Sequence, residues 1–195
     1  FVEQITSKAF PQLDLSGVAS LTREQEQSTE ATVKEVIRRL RSYQTVDGSF
    51  SYWPGGTAPN AWGTVYAIHF LLEAEKKGYL VPEGMKRNAL NDLSRIARNW
   101  KPEASYSAES EEMTQAYRLF VLALGQVAEV GAMNRLKESK TLMSMSRYLL
   151  AAGYALVGRP DVSKELVVKT TALTTACSGY DQTFGSDLRD TSIRL

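Results

Sequence analysis

Apolar residues along this chain form two kinds of helical pattern, and the two kinds alternate. Val33, Val36, Ile37, Leu40 and Tyr43 recur at three- and four-residue steps, which predicts a helix with a single buried face. Ser28 or Thr29 is placed to cap it. Its other face offers Glu30/Lys34 and Glu35/Arg39 as pairs one turn apart. From Trp62 to Leu72 the pattern changes: Trp62, Val65, Tyr66, Ala67, Ile68, Phe70, Leu71 and Leu72 leave almost no polar side. Such a helix is expected to be buried all round. The alternation then repeats. Met85, Leu90, Leu93, Ile96 and Trp100 mark one stripe, and Met113 to Leu124 is apolar nearly all round, with Gly125 as its C-cap. Met133 to Leu136 predicts a short helix, Leu142 to Leu156 another apolar one, and Val162, Leu166 and Val167 a further surface stripe. At the start, Val2 to Phe10 reads as a short helix ended by Pro11, followed by a connector over Leu13 to Thr22.

No segment shows sustained period-two alternation, so the fold class is all-α with few strands. Buried helices alternating with amphipathic ones predict an α/α toroid, an inner apolar ring inside an outer amphipathic ring. The periodicity supplies roughly eight helices, too few to close such a ring, so an incomplete toroid is expected. Residues 1–195 read as a single domain that is a fragment of something longer, because Asp187 to Leu195 looks like a helix only just begun. A superhelix of short helical repeats ranks lower, because no period of about 34 residues is visible.

Composition narrows the function by exclusion. Lys and Arg number 23 against 22 Asp and Glu, for a net charge of +1. That balance argues against a nucleic-acid or anionic-membrane surface, which needs clustered cations. The longest uncharged apolar run, Tyr148 to Val157, is too short to span a bilayer, and no signal-peptide pattern is present. One cysteine, Cys177, excludes an internal disulfide and a cysteine-based zinc site. One histidine, His69, lies inside the apolar helix and reads as a hydrogen-bonded core residue rather than a metal ligand or catalytic base. No metal or cofactor is expected.

Two places hold candidate chemistry. Tyr43 to Gly56 packs three glycines, a proline and four aromatic residues between two helices. It lacks the glycine spacing of a phosphate-binding loop. Within it, Gln44, Asp47, Gly48 and Phe50 resemble the glutamine-and-aromatic corner that recurs in α/α toroids. Gln44 would satisfy backbone groups at the end of the outer helix, and Gly48 would permit a positive-φ turn. Phe50 and Tyr52 would plug the mouth of the ring. The alternative function is an α/α-toroid enzyme acting on glycans or isoprenoids through carboxylates, for which Asp47, Asp181, Asp187 and Asp190 are available. The same groups read more simply as loop and helix-capping residues.

The second place is the first. Phe1-Val2-Glu3-Gln4, followed by a helix running to Phe10-Pro11, resembles the thioester region of the bacterial alpha-2-macroglobulin family, whose pattern is Gly-Cys-x-Glu-Gln. Further matches follow in order: Gln44 to Gly56 with Trp62-Gly63-Thr64 and Tyr66-Ala67, Phe70 to Ala74 leading to Gly78 to Pro82, Gly131 to Leu136, and Thr183 to Asp190. The resemblance implies an α/α toroid, of which this chain would cover about two thirds. It also implies a periplasmic or cell-envelope parent that traps host or competitor proteases, with this segment packing against other domains of the same chain. In that family a cysteine thiol is joined to the glutamine side-chain carbonyl. Here Glu3 and Gln4 match, but Phe1 stands where the cysteine belongs. The histidine that complement-type members carry downstream is also missing from Glu109 to Tyr117. The expectation is a non-enzymatic, non-covalent inhibitor module.

Overall fold

The computed structural model describes residues 1–102, 108–139 and 142–168. It is all-α. Among the described residues the only β pairing is two isolated bridges, Gln44 with Phe50 and Ser51 with Pro59. The chain divides into two compact units, Phe1–Leu93 and the remainder from Ser94. Cys177, Asp181, Asp187, Asp190 and the Thr183 to Asp190 match lie outside the described residues.

The first unit contains α1 (Val2–Ala9), a 3-10 turn (Phe10–Asp14), α2 (Leu15–Val18), α3 (Arg23–Leu40), α4 (Ala61–Lys76) and the first part of α5 (Glu83–Asn99). Helix α4 is the apolar one, with Val65, Ala67, Ile68, Phe70, Leu71, Leu72 and Ala74 all buried. Helix α1 lies along it in the same direction. At their starts, a Cβ on Gly63 would come within 2.5 Å of the Val2 side chain. At the far end, the Phe10 ring packs on Tyr66, His69 and Phe70 at 5.3, 4.9 and 5.8 Å. Helix α3 runs the opposite way, because its end feeds the corner at the start of α4 while Glu30 faces Tyr79 beyond the end of α4.

Helix α3 begins six residues before the expected cap. Thr22 and Gln25 form a reciprocal capping box, with Gln25 N donating to Thr22 Oγ1 at 3.3 Å and Thr22 N to Gln25 Oε1 at 2.9 Å. Ser28 and Thr29 therefore sit within the helix, where Thr22-x-x-Gln25 outcompetes them as the start signal. On its exposed face Glu30 pairs with Lys34 as expected, whereas Glu35 is gripped by Arg38 rather than Arg39.

The second unit holds α6 (Ala108–Leu124), α7 (Val130–Lys137), α8 (Ser144–Leu156) and α9 (Pro160–Val168). Helices α6 and α8 pack on each other and also run parallel. Near their starts, Met143 N donates to Glu112 Oε1 at 2.9 Å. Ten residues on, a Cβ on Gly153 would lie 3.6 Å from Phe120 Cα. Each unit thus contains two parallel helices packed on each other with a surface helix between them in sequence; α4, α6 and α8 are the apolar, buried ones, and α1 is half exposed.

The three buried helices stop in the same manner. A six-residue backbone bond closes each end: Tyr79 N to Ala74 O, Val127 N to Leu122 O and Arg159 N to Tyr154 O, at 2.9 to 3.0 Å. Each closure needs one left-handed residue. Gly78 and Gly158 supply two of them, but in α6 the position falls to Gln126, at φ 62°, one residue past the expected Gly125.

Candidate functional site

The corner from Tyr43 to Gly56 is held by its own hydrogen bonds and by bonds to α5, α4 and α1. Gln44 Nε2 donates to Gly48 O at 3.0 Å and to Met85 O at 2.9 Å. The glutamine therefore ties the turn to α5, and does not cap the end of α3 as expected. Thr45 N bonds Ser49 O at 2.8 Å, and Gly48 N bonds Thr45 O at 3.1 Å. Gly48 has φ 113° and lies against α5 so closely that a Cβ would come within 2.3 Å of Asn88 O. Both its conformation and its space exclude a side chain.

The next residues lead inward. Ser49 Oγ donates to Asp92 Oδ2 at 2.5 Å, and both residues are buried. Phe50 is fully buried, and its main-chain N–H and C=O exchange hydrogen bonds with Thr64 Oγ1 at 2.9 and 3.0 Å. Phe50 is accordingly a core residue at the start of α4. Asp47 stays exposed at the tip of the turn. Asp92, Ser49 and Thr64 carry the corner, and nothing local in the sequence marks them, because their partners are 43 and 14 residues distant.

Beyond Phe50 the corner turns toward α1, bringing the two candidate places together. Val2 N donates to Tyr52 O at 3.1 Å. The Phe1 ring stacks on Tyr52 at 4.4 Å and 24°, and meets Trp53 at 4.3 Å and 63°. Tyr52 and Trp53 remain 37% and 58% exposed, so the trio forms an apolar patch on the surface of this unit. Gln4, one helical turn on from Phe1, points its Oε1 back to accept from Phe1 N at 3.4 Å. Burial pushes the Glu3 carboxyl above the usual carboxylate range. Phe1, Glu3 and Gln4 thus share the first turn of α1.

His69 lies at the seam of α1 and α4, its ring edge-on to Phe10 at 4.9 Å. Burial pulls the imidazole pKa down to about 4, with Glu73 resisting and Lys76 assisting. It is neutral at physiological pH. In the second unit, residues 110 to 117, where a histidine would be sought, provide instead the buried Glu112, Thr114 and Gln115. Arg118 follows, and burial lowers its guanidinium pKa to about 10, against the pull of Glu111. Among the described residues no three His, Cys, Asp or Glu side chains gather as metal ligands would.

No protein-family model matches the chain. Curated relatives do. The alpha-2-macroglobulin of Escherichia coli strain K12 is 27% identical over 100% of this chain, and that of Xylella fastidiosa strain Temecula1 is 28% identical over 82%. The Escherichia coli alignment runs the whole length of the chain. It spans only 12% and 10% of the length of those two relatives. The fold agrees: Escherichia coli alpha-2-macroglobulin activated by porcine elastase superposes with a TM-score of 0.82 at 24% identity, over 98% of this chain and 18% of that one. The helical arrangement is therefore that of a segment within alpha-2-macroglobulins, and the resemblance drawn from Phe1 to Gln4 and the corner motif extends over the whole chain.

Proposed function

We propose that this segment is a non-covalent packing module of an alpha-2-macroglobulin-like endopeptidase inhibitor. The single observation that carries the reading is Phe1. A thioester needs a thiol, and the residue three before Gln4 carries a benzyl group instead. The ring is moreover committed, stacked on Tyr52 and edge-on to Trp53. Two structural relatives are Escherichia coli alpha-2-macroglobulin activated by porcine elastase and by trypsin, which supports proteases as the partners of a longer parent. On this reading residues 1–195 belong to one domain of that parent, and its place is the periplasm or cell envelope. No helix among the described residues is long and apolar enough to cross a membrane. The geometry gives no support to an enzyme working through carboxylates: Asp47 is exposed, Asp92 is buried against Ser49, and the remaining candidates lie outside the described residues.

Methylamine treatment of the intact parent, followed by peptide mass spectrometry, tests the reading. A methylamide on Gln4 would sink it; an unmodified Gln4 with protease binding retained is the expected result.

A further inference from the structure

Arg118 on α6 is only 8% exposed, and Thr114, Gln115, Val121 and Leu122, its neighbours one turn away, are buried as well. Placing a guanidinium where water hardly reaches is costly unless a counter-charge accompanies it. Among the described residues no carboxylate does. The one hydrogen bond of Arg118 runs from Nη1 to Gln115 Oε1 at 3.1 Å, a neutral acceptor. Glu111, two turns earlier, pulls on the charge from a distance and has an interaction of its own elsewhere. Gln115 is itself locked, because its Nε2 donates to Ala97 O at 2.9 Å. Its oxygen is therefore held toward Arg118 and fixes which edge of the guanidinium is engaged.

The other edge, Nε with Nη2, has no protein acceptor. Ser146 Oγ is the only fully buried side-chain nitrogen or oxygen without a partner among the described residues. Nε and Nη2 of Arg118 lack partners too, so both reach the surface. They form the same edge with which Arg38 grips Glu35, at 2.8 and 2.7 Å. Arg38 is exposed and its pair is bathed in solvent. In Arg118 the edge lies at a narrow opening, where a charge-assisted pair of hydrogen bonds is screened far less.

We infer that Arg118 is an oxyanion receptor, taking one carboxylate or phosphate group side-on through Nε and Nη2. A planar edge with two parallel donors matches two oxygens of one such group. Glu111 opposes the anion, so the affinity is weak, with a Kd of about 1 mM. The group is either a free small anion or an acidic side chain from another segment, and the two sources are separable by experiment. The inference stands apart from Phe1 and would survive the discovery of a methylamide on Gln4.

The test follows the Arg118 Nε–H resonance of the 195-residue chain, assigned with an Arg118→Lys variant. Inorganic phosphate and a blocked peptide with a single glutamate are titrated separately, each against sodium chloride at matched ionic strength. At least one should move that resonance saturably. Arg118→Lys keeps the charge but loses the planar edge, and should weaken binding of the same probe by about tenfold, read from the Gln115 side-chain amide. Tighter phosphate binding assigns the site to a free anion, and tighter peptide binding to an acidic side chain. Circular dichroism checks that the variant folds, and the shift in the unsubstituted chain is a test by itself. No saturable movement with either probe, the same movement with chloride, or undiminished affinity in Arg118→Lys would each overturn the inference.

Discussion

The two units solve one architectural problem with different materials. Each must return the chain from a surface helix to the start of a buried helix that runs parallel to its predecessor. The first unit does it with a long corner, where Gln44, Gly48 and Ser49 are all bonded or pressed to α5. The second does it over a few residues, where the buried carboxylate of Glu112 takes hold of Met143 N just before α8. The corner spreads its hold over several backbone bonds and one close approach. Among the described residues the shorter return is held by two side-chain bonds, Glu112 on Met143 N and Arg147 Nε on Leu142 O at 3.0 Å. A corner held by many backbone bonds is tolerant of losing a side chain and intolerant of gaining one; a return held by side chains is the reverse.

That contrast can be broken experimentally. Gly48→Ala should have the largest effect, about 3 kcal/mol of destabilisation, from a strained positive φ and an overlap with the Asn88 carbonyl. Urea unfolding measures it, with hydrogen exchange at Phe50 N expected to quicken. A loss below that from Gln44→Ala would confirm the distributed hold; equal losses would contradict it. Glu112→Ala should cost about 2 kcal/mol, since the partly buried Met143 N–H loses its acceptor. Glu112→Gln, which keeps an acceptor oxygen, should recover most of that.

A pH titration then probes the seam between α1 and α4. The native His69 titrates near 4 against an ordinary 6.5. The unfolded chain therefore takes up a proton first as pH falls. The stabilising share of the neutral ring is full above pH 6.5, declines from there to about 4, and is constant below. Unfolding at pH 7.5 and pH 5 should differ by about 2 kcal/mol through this group, and His69→Leu should abolish that part of the difference. The smallest effect is a gain. Gln126→Gly should stabilise the second unit by about 0.5–1 kcal/mol, because the left-handed stop of α6 is filled by glycine in α4 and α8. Thermal melting is sensitive enough to detect it.

Much of this was legible in the residues, and the parts that were not share a cause. The all-round apolar character of Trp62 to Leu72 identified α4 as buried, because helical burial is written at local spacing. The same spacing located α6 and α8. The start of α3 was written locally too, as Thr22-x-x-Gln25, but the later Ser28 and Thr29 competed for the same role. What Gln44 holds could not be read, since the Met85 carbonyl reaches it only after α4 has folded back. The pairing of Ser49 with Asp92 is hidden for the same reason. So is the meeting of Phe1 with Tyr52 and Trp53: each stretch was singled out alone, and only tertiary structure places one on the other. The family resemblance needed no tertiary information, because it rests on ordered short motifs.

Parallel buried helices have an electrical consequence as well as a steric one. Peptide dipoles in α1 and α4 point the same way, as they do in α6 and α8, so neighbouring amino ends each present about half a positive charge toward the same side. Antiparallel neighbours would cancel; these add. Both units place a carboxylate there, Glu3 in the first turn of α1 and Glu112 at the entrance to α8. Each glutamate thus acts as a local counter-ion for a field that the chain's directionality creates.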